Sequence, residues 1–260
     1  MSLTQEELEL YSRNMLLSGI GEEGQQKLKN ARVFVAGAGG LGSPILYYLA
    51  AAGVGNIGIC DGDVVDRSNL QRQILHNTQD LGKNKAQSAF EKLSALNPNL
   101  NLKTFTTRLD THNILDCIRD YDLVIEATDG ISAKFLINDA CVLAGKTLVR
   151  GSALHFSGQV MSVKPRESAC YACLFDAPPK IAMPTSASVG ILGAAAGLFG
   201  VLEANEAIKI LTGVGTPLFD ALLTCDVCSM DFRKIAIKRN PHCRVCGEKG
   251  ITKLDSALYV

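Results

Sequence analysis

Short apolar runs bounded by glycine, proline or acidic residues recur through the first 150 positions, separated by longer stretches of helical periodicity. Runs of the first kind read as buried strands, the stretches between them as amphipathic helices. Strands are predicted at Val33–Ala36, Ile57–Cys60, Leu102–Thr106, Leu123–Ala127 and Thr147–Val149. Helices are predicted at Ser43–Ala52, Asn84–Leu96 and Lys134–Ala144, the second stopped by Asn97-Pro98. Residues 5–30 read as helical with a break at Gly19–Gly24, and Thr4 with Glu7 has capping-box spacing. Residues 61–80 form an irregular polar stretch. This alternation implies an α/β fold with a Rossmann-like, doubly wound, mostly parallel sheet. After Ser157 the pattern changes: Gln159–Val163 alternates as a strand does, Ser188–Leu211 reads as one long helix and Ile235–Lys238 as a short strand. A soft boundary near residue 158 separates an N-terminal part, 1–158, from a C-terminal part, 159–260, of the same globular domain.

Composition narrows the class. The 260 residues are 47% hydrophobic, enough for a substantial core. Lys+Arg and Asp+Glu both number 26, so no bulk basic field favours nucleic acid as a partner. The N-terminus lacks a basic and apolar export signal. Nine cysteines, six of them in three C-x-x-C pairs, suit metal binding in a reducing compartment, and a cytoplasmic protein is expected. The uncharged run Val189–Leu202 is shorter than the ~20 apolar residues a membrane span needs. It reads instead as a buried or subunit-interface helix, with Gly193 and Gly197 allowing close backbone approach.

Candidate chemistry begins at VFVAGAGGLGSP, residues 33–44. Gly37-x-Gly39-x-x-Gly42 follows a strand, opens a helix and has Asp61 at the end of the next strand, the arrangement of an adenosine-nucleotide site. Glycines permit the tight turn and close phosphate approach, and the acid can accept from a ribose. The motif alone does not separate a dinucleotide from ATP. Beyond Asp61, the polar stretch Asp66–Gln73 contains Arg67 and Arg72, and Lys83 and Lys85 follow. Asp129, in ATDG, lies past a strand's carboxyl end. A triphosphate needs several cations and a carboxylate for magnesium, whereas a nicotinamide cofactor needs neither, so the cluster favours ATP over a dinucleotide-dependent oxidoreductase.

Cys170-Tyr-Ala-Cys173 and Cys243-Arg-Val-Cys246 can together close one tetrahedral four-thiolate zinc site with no open position. A third pair, Cys225 and Cys228, competes for that pairing, and spacing alone does not choose. The turn residues Asn240-Pro241 and Gly247 around Cys243–Cys246 favour the first two pairs. Cys225 and Cys228, in the apolar context ALLTCDVCSM, read as strand or core cysteines, with a redox pair as the alternative.

Taken in order, Tyr11-Ser12-Arg13, GAGGLGSP, CDGD at 60–63, SNLQRQ at 68–73, Lys85, ATDG at 127–130, CYAC at 170–173 and NPHCRVCG at 240–247 resemble the ThiF/MoeB/HesA family, bacterial relatives of ubiquitin-activating enzymes. The resemblance runs through essentially the whole chain. It implies a homodimer that binds ATP and Mg2+ and adenylates the C-terminal glycine carboxylate of a small ubiquitin-fold sulfur carrier ending in Gly-Gly, releasing pyrophosphate, in thiamin or molybdopterin synthesis. By position, Gly37, Gly39, Gly40 and Gly42 would line the phosphates, with Asp61 on the ribose and Asp63 beside it. Ser68, Asn69, Gln71, Arg72 and Lys85 would form the phosphate-binding stretch. Asp129 would hold magnesium beside Gly130, and Arg13 would reach into the partner subunit's site. Arg13, Arg72, Lys85 and Asp129 are the expected catalytic set. A carboxylate attacking phosphorus needs positioning and electrostatics rather than a side-chain base, so the four histidines are expected at the surface or in structural hydrogen bonds. Two departures stand out: Gly130 replaces a frequent Asn, and Ser186 stands where many relatives carry a crossover-loop cysteine. A hydroxyl forms neither persulfide nor thioester, so the chain is expected to stop at the acyl-adenylate or pass it to an external sulfur donor. With no rhodanese-like segment after Cys246, the sulfur is expected from another protein. A non-catalytic binding homologue is the other alternative, opposed by the intact charged set.

Overall fold

Val33 and Val35 pack into one core cluster while Phe34 and Ala36 pack into a second on the opposite face of the sheet, because successive strand side chains alternate. Apolar residues at these four successive positions therefore bury the first strand on both faces. The computed structural model describes residues 2–181 and 183–259. In chain order its elements are α1 (Gln5–Leu10), α2 (Ser12–Met15), α3 (Gly21–Asn30), β1 (Arg32–Ala36), α4 (Gly42–Ala51), β2 (Asn56–Cys60), α5 (Lys85–Leu96) and β3 (Asn101–Phe105). There follow α6 (Ile114–Ile118), β4 (Leu123–Glu126), α7 (Ile131–Ala144), β5 (Thr147–Leu154), β6 (Ser157–Val163) and α8 (Tyr171–Leu174). The chain then runs through α9 (Ser186–Val189), α10 (Gly193–Thr212), β7 (Ala221–Asp226) and β8 (Asp231–Ala236).

All eight strands form one sheet in the order β3-β2-β1-β4-β5-β6-β7-β8. The first five run parallel, and β5 to β8 pair antiparallel. Helices α4, α5 and α10 cover one face, and α6 and α7 the other, with the Cys170–Cys173 and Cys243–Cys246 segments joining the second cluster. Strand order reverses at β1, which lies between β2 and β4, so the loops after these three strands open side by side at one edge.

Several elements differ from the pattern-based reading. The first helical stretch breaks across residues 16–20, and α3 starts at Gly21, whose positive φ of 55° turns the chain into it. Thr4 and Glu7 do form the capping box of α1. The expected helix 188–211 is interrupted: α9 is a separate turn capped by Thr185, and α10 starts only at Gly193. The break is held by His155, whose N–H donates to the Gly190 carbonyl and whose carbonyl accepts from the Leu192 N–H. Helix α6 and strand β7 carried no separate prediction, and β8 lies earlier than Ile235–Lys238. Strand β8 is exposed along its whole length, so no apolar alternation marks it. No helix among the described residues is long and apolar enough to cross a membrane.

Candidate nucleotide and metal sites

The glycine loop sits at the switch point because its glycines leave no alternative. Gly37 has a φ of 104°, and a Cβ there would lie 2.6 Å from the Ala127 carbonyl oxygen. At Gly42 a Cβ would overlap the Gly37 carbonyl, so the turn closes against itself and against the end of β4 only without side chains. Gly39 and Gly40 have looser neighbours, Gln73 and Arg72 respectively. Helix α4 begins here, and its Ser43 N–H donates to the Gly39 carbonyl of the loop at 2.9 Å.

Asp61, at the end of β2, fastens the loop. One carboxylate oxygen accepts the Ala38 N–H at 2.9 Å and the other the Asp63 N–H at 2.9 Å. Burial pushes the Asp61 carboxyl above its ordinary value, although both backbone bonds oppose this. His76 braces the loop from beneath: Nε2 lies 2.8 Å from the Ala38 carbonyl oxygen and Nδ1 2.9 Å from the Ser88 hydroxyl. With Nε2–H donating to the carbonyl, Nδ1 accepts from the hydroxyl.

The cationic stretch follows. Arg72 donates to the Ser68 carbonyl at 3.1 Å, and its Cγ lies 3.5 Å from the Cβ position of Gly40, so its stem crosses the loop. Ser68 bonds Asp66, the Asn69 amide donates to the Ser68 hydroxyl at 3.4 Å, and the exposed Gln71 has its carbonyl against Gly193. Lys85 is buried, with Nζ 3.5 Å from Asp63. Arg108 also binds Asp63, at 2.9 Å. Burial would raise the Asp63 carboxyl, but the Arg108 bond and the Lys85 and Arg108 charges hold it below its ordinary value. Sequence reading did not single out Arg108. Its position just beyond the carboxyl end of β3, where open parallel sheets bind ligands, is the signal that identifies it. Asp129 is exposed beyond β4, and among the described residues its carboxylate makes no hydrogen bond. One unpaired carboxylate beside the glycine loop is a donor set that fits magnesium, which takes few protein ligands and keeps water and phosphate oxygens. Gly130 caps α7, and its Cβ position meets only Ala133 Cβ at 3.8 Å.

Arg13 does not join this group. Its neighbour Tyr11 hydroxyl-bonds Asn97 at 2.7 Å, and Asn14 reaches Gln25, which donates to the Ala52 carbonyl at the far end of α4. The ten residues of α4, about 15 Å of helix, lie between that end and the glycine loop. Ser186, the first residue of α9, is partly buried.

The second constellation is compact. The sulfurs of Cys170, Cys173, Cys243 and Cys246 all lie within 4.8 Å of one another, with Cys170–Cys243 at 3.7 Å and Cys173–Cys246 at 3.4 Å. Tetrahedral zinc with bonds of ~2.3 Å places its sulfurs ~3.8 Å apart, so the donor set fits that ion. The N–H groups of Asn240 and Val245 point at Cys173 and Cys243, each at 3.4 Å. Cys225 and Cys228 stand outside the cluster. Cys225 is a buried residue of β7, but Cys228, expected in a strand or core, is exposed in the β7–β8 turn, where its N–H donates to Asp226.

A mostly parallel sheet with a glycine loop, cations and an unpaired acid at its switch point, joined to a four-cysteine cluster that could hold a metal ion, defines an α/β protein with a candidate nucleotide site. The chain belongs to the ThiF family, whose model matches residues 11–245. It is 45% identical over 255 residues to a sulfur carrier protein adenylyltransferase of Thermus thermophilus, covering 96% of this chain and 94% of that one. It is 40% identical over 261 residues to the SAMP-activating enzyme E1 of Haloferax volcanii, covering 100% and 96%. In fold it is similar to E. coli MccB crystallised with ATP, with a TM-score of 0.79 and 23% identity over 92% of this chain and 74% of the other.

Proposed function

We propose that this protein is an adenylyltransferase that uses ATP and magnesium to adenylate the C-terminal glycine carboxylate of a small ubiquitin-fold sulfur carrier ending in Gly-Gly, with release of pyrophosphate. The observation that carries this reading is the arrangement at the switch point. A glycine loop crossed by Arg72, a buried lysine at residue 85 and a free carboxylate at Asp129 follow three adjacent strand ends. The family membership and the full-length likeness to enzymes that carry adenylyltransferase names support the same reaction.

The chemistry follows from charge. A carrier carboxylate and a triphosphate repel one another, and the attack at the α-phosphorus succeeds only where fixed cations offset that repulsion. Arg72 and Lys85 supply the positive charge, while the loop N–H groups and the α4 terminus bind phosphate oxygens. Asp61, already tied to the loop by two backbone bonds, has lone pairs left for ribose hydroxyls. Magnesium held by Asp129 would neutralise charge on the departing pyrophosphate. Arg13, on α2 beside the far end of α4, is too distant to serve its own site, and Leu10, Leu16 and Leu17 around it are exposed at 53%, 75% and 55%. A homodimer that covers these leucines and lends Arg13 to the second site accounts for both facts. Zinc on the four thiolates would hold the C-terminal segment to the body, and an external donor would supply the sulfur because Ser186 offers no thiol.

The test is incubation with ATP, magnesium and small proteins ending in Gly-Gly, followed by intact-mass measurement. A carrier heavier by one adenylate is expected. Conversion of NAD(P)H with no adenylate on any carrier would replace this reading with the oxidoreductase one.

A further inference from the structure

Beneath Asp129 lies a buried ion pair with no role in contacting nucleotide. Glu126, the last residue of β4, and Lys134, on α7, are 0% and 5% exposed. Lys134 Nζ lies 3.1 and 3.2 Å from the two Glu126 carboxylate oxygens and also donates to the carbonyls of Thr128 at 2.6 Å and Gly151 at 3.0 Å. Glu126 in turn accepts from the Thr128 N–H at 2.8 Å and the Thr128 hydroxyl at 2.6 Å. All three polar groups of Thr128 are thus held by this one pair. On the other side of Asp129, the Gly130 carbonyl accepts the Lys134 backbone N–H at 3.1 Å. Since the Asp129 carboxylate has no internal partner among the described residues, its direction is set by these clamped neighbours.

An ion pair kept only for stability has no need of this arrangement. Burying two charges costs several kcal/mol per ion before pairing, and apolar replacements of such pairs are often neutral or stabilising. Glu126 also faces a second buried cation, Arg150, whose Nε lies 3.6 Å from its carboxylate, and burial raises the carboxyl of the neighbouring Glu203 well above its ordinary value. The bonds spent on a solvent-facing turn point to the turn as their purpose.

We propose that Glu126 and Lys134 are positioning residues that orient Asp129 for magnesium-nucleotide binding. The proposal rests on the reading of Asp129 as the magnesium carboxylate. Its test is calorimetric binding of a non-hydrolysable ATP analogue with and without magnesium, read as the factor by which magnesium tightens binding. Loss of a residue that orients a metal ligand typically costs roughly 10- to 100-fold in metal affinity. Lys134→Met is therefore expected to lose most of the tightening, and Lys134→Arg, which keeps the charge and its donors, to retain it. Adding Lys134→Met to Asp129→Ala is expected to change the factor by less than about twofold, because residues acting through one another are not additive. A purely structural role would instead weaken binding of the analogue equally with and without magnesium, leaving the tightening factor of Lys134→Met unchanged, which overturns the proposal. If Lys134→Met does not fold, Thr128→Val keeps the ion pair and removes only the hydroxyl bond. A reduced tightening factor in Thr128→Val supports the proposal, and an unchanged factor overturns it. Full tightening in Lys134→Met alongside its loss in Asp129→Ala defeats the positioning role alone, whereas full tightening in Asp129→Ala defeats the underlying reading and the proposal with it.

Discussion

Arg72, Asp129 and Ser186 separate what the adenylation step needs from what it does not. In the proposed reaction Arg72 and Asp129 would act on charge that shifts toward pyrophosphate, and removing one such fixed partner typically costs roughly 10²-fold or more in rate. Arg72→Ala and Asp129→Ala are expected to lose pyrophosphate exchange on that scale with circular dichroism unchanged. Ser186→Ala is expected to keep a rate close to wild type, since a hydroxyl has no step in carboxylate attack on phosphorus. Comparable loss in Ser186→Ala and Arg72→Ala would assign α9 a chemical role. His76 carries a pH dependence. Burial lowers its pKa, the Lys85 charge adds to that, and the Ala38 bond with Asp80 and Asp61 opposes it. A folded pKa below the unfolded one gives stability that is present above the ordinary imidazole value of 6.5 and is lost as pH falls below it. The melting temperature is expected to drop less between pH 7.5 and 5.5 in His76→Gln than in wild type, and equal drops would exclude His76 as the source.

At the scale of elements, the glycine loop was legible because local geometry dictates it, and the four-cysteine pairing because turn residues flank Cys243 and Cys246 whereas Cys225 and Cys228 lie in an apolar context. Gly37 and Gly42 occupy positions where a Cβ meets backbone, so the motif could be written in no other residue. What stayed hidden depends on contacts distant in sequence. Strand β8 has no buried face, α6 is one short helical segment, and the break before α10 rests on a bridge from His155. Arg108 gains its place only when β3 is seen beside β2, and Lys134 only when α7 lies against β4. The same geometry orders two substitutions. Gly42→Ala is expected to destabilise severely and abolish nucleotide binding, because its Cβ would overlap the Gly37 carbonyl. Gly130→Asn is expected to leave stability within about 0.5 kcal/mol, as an open surface site allows. Denaturant melts of both proteins check the ranking, and equal stability losses would contradict it.

Across the whole molecule, α7 links the two sites. Asn138 accepts the Tyr171 N–H beside one knuckle at 2.8 Å, and buried Asp139 binds Arg244 of the other at 2.8 Å and the Tyr259 hydroxyl at 2.8 Å. The C-terminal segment is therefore fastened to the helix that begins beside Asp129. Cys243→Ser is expected to lose zinc and loosen this segment to proteolysis, while Cys225→Ser keeps one zinc per chain. Retained zinc in Cys243→Ser with loss in Cys225→Ser would mean that the pairing is wrong. The central claim, activation of a carrier carboxylate by ATP, is tested most directly by exchange of labelled pyrophosphate into ATP with an intact carrier and with the same carrier lacking its final glycine. Exchange is expected only with the intact Gly-Gly terminus, and exchange of equal rate with the truncated carrier, or with none, would contradict the account.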